Sequence, residues 1–88
     1  MTLSSYVYTV NTTPVLLADA PINPVKVTIH NNNHQANSIV YLGGSAVTTS
    51  TGLHLDPEAT LYFVLNTTEQ LFGVAASALN CSLIVQPF

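Results

Sequence analysis

Short runs of apolar residues recur along the chain between clusters of Asn, Ser, Thr, Gly and Pro. The clearest alternation covers residues 25–30, where Val25, Val27 and Ile29 are separated by polar residues. Alternation with a period of two is typical of a strand that has one buried and one solvated face. Apolar positions at the three-and-four spacing of an amphipathic helix are not sustained over ten residues anywhere, and residues 73–79 are the one alternative. The pattern predicts an all-β fold.

We predict seven main strands and one short edge strand within 45–52; the main strands lie at residues 5–10, 15–18, 25–30, 38–42, 60–65, 70–76 and 81–86. In the first strand, Tyr6, Tyr8 and Val10 fall on one face and Val7 on the other. Residues 31–37 are predicted to form a polar loop, because asparagines tolerate left-handed conformations and bond their own backbone. Six to eight short strands in one small chain indicate a single antiparallel β-sandwich or a jelly-roll-like barrel.

The chain has 88 residues, which allows one domain, 1–88, with one core. A chain of this size removes only around 63% of its unfolded surface from water, so the isolated domain gains little net stability from burial. We therefore expect assembly with other chains to contribute. Residues 1–4 precede the first strand and are expected to form a flexible arm or a segment that contacts a partner.

Two predicted strands, at residues 39–42 and 61–65, are apolar on both faces. An isolated two-layer sandwich needs only one apolar face on each strand, because the other face meets water. One face is therefore expected to bind a partner, and self-association is the simplest case. The candidate interface residues are Val40, Leu42, Tyr62 and Val64.

Charge is scarce, since only five residues are Asp, Glu, Lys or Arg, and the formal net charge is −3. One Lys and no Arg make no basic patch for a phosphate backbone or an anionic lipid surface, so neither nucleic acid nor a membrane is a predicted partner. The polar surface is instead predicted to come from 29 Thr, Asn, Ser and Gln residues. We also expect no signal peptide, because no charged segment precedes an apolar stretch at the N-terminus, and no membrane-spanning helix, because no run of about 18 apolar residues exists.

No combination of residues predicts catalysis, a cofactor or a metal site. His30 and His34 are four apart, but they flank a predicted loop and not one face of a helix. His54 and Asp56 lack a nucleophile on a tight turn and a glycine-rich oxyanion loop. Cys81 is the only cysteine, so an internal disulfide and a Cys-based zinc site are excluded, and it is predicted to be a small buried apolar residue.

The aromatic residues allow two interpretations. An aromatic platform over a polar rim suits carbohydrate binding, whereas aromatic residues at alternating strand positions suit packing in a core or an interface. The second interpretation is favoured, because these residues lie on strands and not in one loop: Tyr6, Tyr8, Tyr41, Tyr62, Phe63 and Phe72.

The middle of the chain combines a strand that ends in Gly43-Gly44, a Val47-Thr48 step, Gly52 and a turn at Pro57, followed by Glu69 to Ala76. This order resembles the small β-sandwich virion proteins of tailed bacteriophages, the modules that decorate heads or associate with fibres, and the resemblance covers about residues 25–85.

The matched turn positions also have predicted backbone roles. Gly43 and Gly44 permit positive φ after the strand, and Gly52 permits a second reversal of the chain. Pro57 fixes φ at the start of a turn, and Glu58 stands where a glycine would be expected.

The resemblance implies a non-catalytic structural protein of the virion, made in the host cytoplasm and located on the capsid surface. It implies two partners, the major capsid protein and other copies of this chain in a homo-oligomer. The expected function is that of a minor capsid protein that decorates and cements the shell through many weak contacts. The alternative is a carbohydrate- or receptor-binding module of a tail or head fibre.

Overall fold

The computed structural model describes residues 3–87, and within them it contains eight strands and no helix. The strands are β1 (Ser4–Val10), β2 (Val15–Asp19), β3 (Val25–Asn31), β4 (Val40–Gly43), β5 (Leu53–Leu55), β6 (Thr60–Leu65), β7 (Gln70–Val74) and β8 (Leu79–Pro87). The alternative of a helix at residues 73–79 is wrong, because β7 ends and β8 begins within that segment. The all-β prediction is confirmed.

The strands form two four-stranded antiparallel sheets, in the orders β1-β8-β3-β6 and β2-β7-β4-β5. The chain passes from one sheet to the other at every connection except the one between β4 and β5. This is the strand order of a jelly roll, a double-sheet sandwich built from two Greek keys. The structure therefore combines the two predicted architectures: it is an antiparallel β-sandwich whose strands follow the jelly-roll order.

The core lies between the sheets and is built by the alternation seen in the sequence. Val27 and Ile29 are fully buried and face inward. Lys26, which lies between Val25 and Val27, is exposed. On β1, Tyr8 and Val10 lie opposite residues of β8 that are themselves buried, which confirms the predicted inner face of this strand. Ser4 is already paired as the first residue of β1; Met1 and Thr2, the start of the predicted arm, lie outside the described residues.

Two of the four candidate interface residues are on the wrong face. Val40 is 0% exposed and Leu42 is 3% exposed, because β4 directs both into the core and turns Tyr41 outward. Tyr62 is 68% exposed and Val64 is 44% exposed, as expected. An unbroken run of apolar residues does not alternate with polar ones, so the sequence does not show which of its residues face the core. Only the packing of the sheets decides this.

The positive φ that Gly43 and Gly44 permit is not used, since no glycine among the described residues has one. Gly52 is instead required by close approach: a Cβ there would lie 2.6 Å from the Cβ of Tyr41. A Cβ at Gly43 would lie 2.8 Å from Cγ2 of Val47, whereas Gly44 has open space around it.

Within residues 3–87, positive φ occurs instead at two residues that are not glycine, and the first is Glu58, with φ 60°. Its turn follows Pro57, and the backbone N–H of Ala59 donates to the carbonyl oxygen of Asp56 at 3.0 Å, which is the pattern of a type II turn. Glu58 N–H then donates to the Asn31 oxygen, and Asn31 N–H donates to the Ala59 oxygen, both at 3.0 Å. Two residues thus oppose Asn31 in a β-bulge just before β6.

The second residue with positive φ is Thr68, with φ 75°, and its turn makes the same set of backbone hydrogen bonds as the turn at Glu58. Glu69 N–H donates to the Asn66 oxygen at 3.0 Å and Thr68 N–H donates to the Ala20 oxygen at 2.6 Å. Ala20 N–H completes the pattern by donating to the Glu69 oxygen at 3.1 Å. One such turn therefore precedes β6 and the other follows it, which sets both ends of this edge strand.

Candidate interaction surface

The solvent-facing side of the β1-β8-β3-β6 sheet is a surface that the core does not use. We call it the outer face; it comprises Ser5, Val7, Thr9, Lys26, Thr28, His30, Thr60, Tyr62, Val64, Asn80, Ser82, Ile84 and Gln86. Cross-strand pairing brings Ile84 between Ser5 and Thr28, and places Tyr62 beside Thr28. Lys26 is its only charged residue.

Apolar exposure is concentrated on the outer face. It holds four of the nine large hydrophobic side chains that are exposed in residues 3–87, namely Val7, Tyr62, Val64 and Ile84. Several of its polar side chains are already bonded: Thr9 Oγ1 donates to Asn80 Oδ1 at 2.8 Å, and His30 Nδ1 and Thr60 Oγ1 hydrogen-bond at 2.8 Å. The face is therefore an ordered, nearly uncharged surface with apolar groups to bury.

The opposite sheet offers less free surface, because the chain covers part of it. Val47 is only 6% exposed, and the segment between β4 and β5 places it against Gly43 and Gly52. Beside it the rings of Tyr41 and His54 contact each other edge to face, with their centroids 4.8 Å apart. The outer face of the first sheet is the better candidate for a partner.

Tyr62 and Val64 are among the interface residues that the sequence predicts, whereas Val7 and Ile84 are not. The alternation along β1 did indicate that Val7 faces outward, because it places Val7 on the face opposite Tyr8 and Val10. Ile84 lies in an unbroken apolar run, where alternation gives no signal.

The six aromatic residues do not form one platform. Tyr6 and Tyr8 stack on the inner side of β1, with ring centroids 5.8 Å apart, whereas Tyr62 lies on the outer face with Lys26 Nζ 5.9 Å from its ring centroid. Phe63 packs against the core, and Tyr41 lies on the other sheet.

The histidines are separated in space and have different partners. His34 Nδ1 lies 2.9 Å from Glu58 Oε1, with both side chains largely exposed, while His30 and His54 contact Thr60 and Tyr41. Within residues 3–87, no three His, Cys, Asp or Glu side chains come together in a way that could hold a metal ion. The same residues contain no helix that is long and apolar enough to cross a membrane.

A polar cleft of about 440 Å³ lies beside the Asn-rich segment that follows β3; it is lined by Asn32, Asn33, His34, Gln35, Ser38, Ser77, Ala78 and Leu79. Its amides partly serve the fold, since Asn32 Nδ2 donates to Ser82 Oγ at 2.7 Å and Asn33 Nδ2 donates to Asn31 Oδ1 at 2.8 Å. A second cleft, of about 200 Å³, is lined by Asp19, Ala20, Pro21, Thr68, Glu69 and Gln70. No Phe, Tyr or Trp ring lines either cleft.

Cys81 lies on the inner face of β8, between Tyr8 of β1 and Asn31 of β3, and its side chain is fully buried. Burial removes the thiolate from water and raises the pKa of Cys81 from its ordinary value of 9.0 to about 11. The folded protein therefore keeps this thiol neutral and unreactive.

Stability is expected to fall as pH rises from about 9 to 11, because the unfolded chain releases the Cys81 proton in this window and the folded chain retains it. This loss of stability is absent below the pKa of the unfolded chain and reaches about 2–3 kcal/mol at the top of the pH window. Urea unfolding at pH 8 and pH 10.5 measures it, with Cys81→Ala as the control that lacks this titration. Parallel pH profiles for the two proteins would contradict the assignment.

The fold and this surface define a small jelly-roll domain with an open, charge-poor outer face. No known family model matches the chain, and no curated protein sequence matches it. Among solved structures, one described under "Bacillus endospore appendages form a novel family of disulfide-linked pili" matches with a TM-score of 0.62. The match covers 99% of this chain and 86% of that chain at 11% sequence identity, so the two proteins share a fold.

Proposed function

We propose that this chain is a non-catalytic structural protein that functions in many copies, by binding through its outer face. The observation that carries the proposal is the exposure of Val7 and Tyr62, at 67% and 68%, on a face with a single charged residue. Apolar exposure on one face is typical of a binding surface, and so little charge provides weak protection against association.

The order of turns and strands around Gly43 to Pro57 resembles that of virion proteins of tailed bacteriophages, and the proposed location within such a particle is the surface of the shell. In this proposal the chain contacts the major capsid protein and further copies of itself, and it cements the shell as a decoration protein. Burial of apolar and hydroxyl-bearing surface would then stabilise the assembled particle and not the free coat subunits. The jelly roll is a common fold among viral capsid domains, which agrees with this role.

The structural neighbour supports the idea of a repeated subunit, because its description is of appendages that form pili. Their disulfide links have no counterpart here. Cys81 is the only cysteine in the sequence and is 0% exposed, so it cannot join two folded copies. Contacts between copies are therefore proposed to be non-covalent.

A second candidate function is a carbohydrate- or receptor-binding module of a phage fibre. The polar cleft favours it, because Asn33, Gln35 and Ser77 present neutral amide and hydroxyl groups that suit a polyhydroxylated ligand. The separation of the aromatic residues counts against it. Glycan binding that is lost in a Gln35→Ala/Ser77→Ala variant would place this function first.

The proposal is tested by light scattering over a range of concentrations and by co-sedimentation with particles of the phage that encodes the chain. Replacing Tyr62 and Val64 by serine and threonine is expected to weaken binding at least about tenfold, because it removes apolar area from the outer face. Leu53→Ser is the matched control, since Leu53 is 57% exposed but belongs to the other sheet.

Washing at about 1 M salt is expected to release few bound copies, because charges contribute little and screening acts only on charges. A wild-type protein that stays a strict monomer and does not sediment with particles would contradict the proposal. Full release by salt would show that electrostatic contacts hold the protein.

A further inference from the structure

We infer that copies of this chain join head to tail through the two free edges of the β1-β8-β3-β6 sheet, with the β6 edge of one copy pairing with the β1 edge of the next. The inference rests on the proposed function and specifies how copies contact one another. An edge strand carries a row of unpaired backbone N–H and C=O groups, which is a template for pairing with another chain.

The edges of this sheet are open, whereas those of the other sheet are protected. Among the described strands, β1 and β6 each pair on one side only, and neither contains a charged residue or a proline. In the other sheet, β5 has only three residues. Its second edge strand, β2, follows Pro14, has a register shift between Leu16 and Ala18, and ends in Asp19. Short length, bulges, prolines and charges are the features that prevent edge pairing.

Strand direction allows the pairing without reorienting a copy. All neighbours in the four-stranded sheet are antiparallel, so β1 and β6 run in opposite directions. A second copy in the same orientation therefore places its β1 antiparallel to β6 of the first. The contact uses two different surfaces and leaves one edge free at each end, so it produces an open chain or a ring.

The register follows from the alternation of side chains. A continuous sheet requires outward residues of one edge to lie opposite outward residues of the other. One register satisfies this rule and overlaps all six residues of β6; its outward pairs are Thr60 with Thr9, Tyr62 with Val7 and Val64 with Ser5. Each pair is uncharged, and hydroxyl pairs and pairs of an aromatic with a β-branched residue are favourable across strands.

An exposed inward aromatic supports this register independently. Tyr6 faces the interior of the sandwich, opposite the buried Leu83, yet it is 44% exposed because no strand lies beyond β1. In the proposed register Tyr6 lies opposite the partner's Phe63. Pairing would bury an aromatic side chain that a single copy leaves in water.

The test places two cysteines where the register brings them together. In the double variant Thr9→Cys/Thr60→Cys, oxidation with copper phenanthroline is expected to produce a ladder of dimers, trimers and longer species that reductant removes. Both positions are exposed, and Cys81 stays in place because it is buried. Ser5→Cys/Thr60→Cys is the register control, since Ser5 lies four residues away from Thr9, about 13 Å along the strand.

Each outcome decides the inference. A ladder only in the first double variant supports it, whereas a ladder in the register control overturns the register. Dimers from Tyr62→Cys alone would show two-fold pairing of β6 with itself and overturn the head-to-tail arrangement. Protein that assembles or sediments with particles but forms no ladder overturns the edge pairing and leaves the proposed function standing. Protein that neither assembles nor sediments overturns both.

A charge pair provides a second measurement that does not depend on thiols. Thr9→Lys/Thr60→Lys places like charges opposite each other and is expected to weaken self-association at least about fivefold. Thr9→Lys/Thr60→Glu is expected to restore it. Equal self-association of the two variants, with unchanged circular dichroism, would overturn the inference.

Discussion

Asn31→Ala is expected to lower the free energy of unfolding by about 3–5 kcal/mol, although Asn31 lies in a polar run that resembles a surface loop. The side chain is 0% exposed. Its Nδ2 donates to the carbonyl oxygens of Ser38 at 2.7 Å and Leu55 at 3.0 Å. Its Oδ1 accepts from Asn33 N–H at 3.0 Å and from Asn33 Nδ2 at 2.8 Å. Alanine would remove all four bonds. Asn33 Nδ2 would keep its bond to the Asn80 carbonyl oxygen at 3.1 Å, and each of the other groups that stays buried without a partner would cost about 1–3 kcal/mol.

Asn31→Asp keeps the shape and removes the donor, so it is expected to destabilise at pH 7 at least as much as alanine. A buried carboxylate opposite two carbonyl oxygens would have a raised pKa, because the neutral form alone can donate. The folded state then binds the proton more tightly than the unfolded state. Stability is therefore expected to recover in part as pH falls through that raised pKa, and to be lost again as pH rises.

Urea unfolding followed by circular dichroism measures both Asn31 variants. Asn37→Ala is the matched control, since Asn37 is exposed in the same segment, and its effect is expected to stay within about 0.5 kcal/mol. A loss below about 1 kcal/mol for Asn31→Ala would contradict the role of this side chain as the link between β3, β5 and the segment that joins β3 to β4.

Gly52→Ala is expected to lower stability by about 2–3 kcal/mol, because a Cβ at this position has no space. It would lie 2.6 Å from the Cβ of Tyr41, 2.9 Å from Cγ2 of Val47 and 3.1 Å from the backbone nitrogen of Leu42. Two of these atoms belong to β4, and Val47 is a stiff β-branched side chain, so relief requires a shift of the backbone.

Gly44→Ala is the matched control for Gly52→Ala. Nothing lies within 4 Å of a Cβ at Gly44, and its φ is not positive. Alanine there is expected to be neutral or to stabilise by up to about 1 kcal/mol, because it restricts the unfolded chain. Thermal unfolding separates the two, with Tm lower by roughly 10 °C or more for Gly52→Ala. Equal Tm values would contradict the close packing of the segment between β4 and β5 on its sheet.

The backbone roles of the turn residues show why local rules failed at some positions. The double glycine permits left-handed backbone, but left-handed backbone occurs at Glu58 and Thr68. Pro57 was correctly placed at the start of a turn, and the position where glycine was expected after it does have positive φ. Sequence alone could not show that Gly52 is needed for space, since Tyr41 and Val47 approach it only in the folded chain.

Local alternation and composition were sufficient to predict the all-β content, the inward side of β1 and β3, and the scarcity of charged side chains. Each of these follows from local alternation or from composition, which do not depend on the rest of the fold. The tertiary structure was needed to place Val40 inward and Tyr62 outward, because residues 39–42 and 61–65 are apolar at every position. It also decided the burial of Asn31, whose amide finds carbonyl partners 7 and 24 residues away, and pairing over such distances is absent from a local pattern.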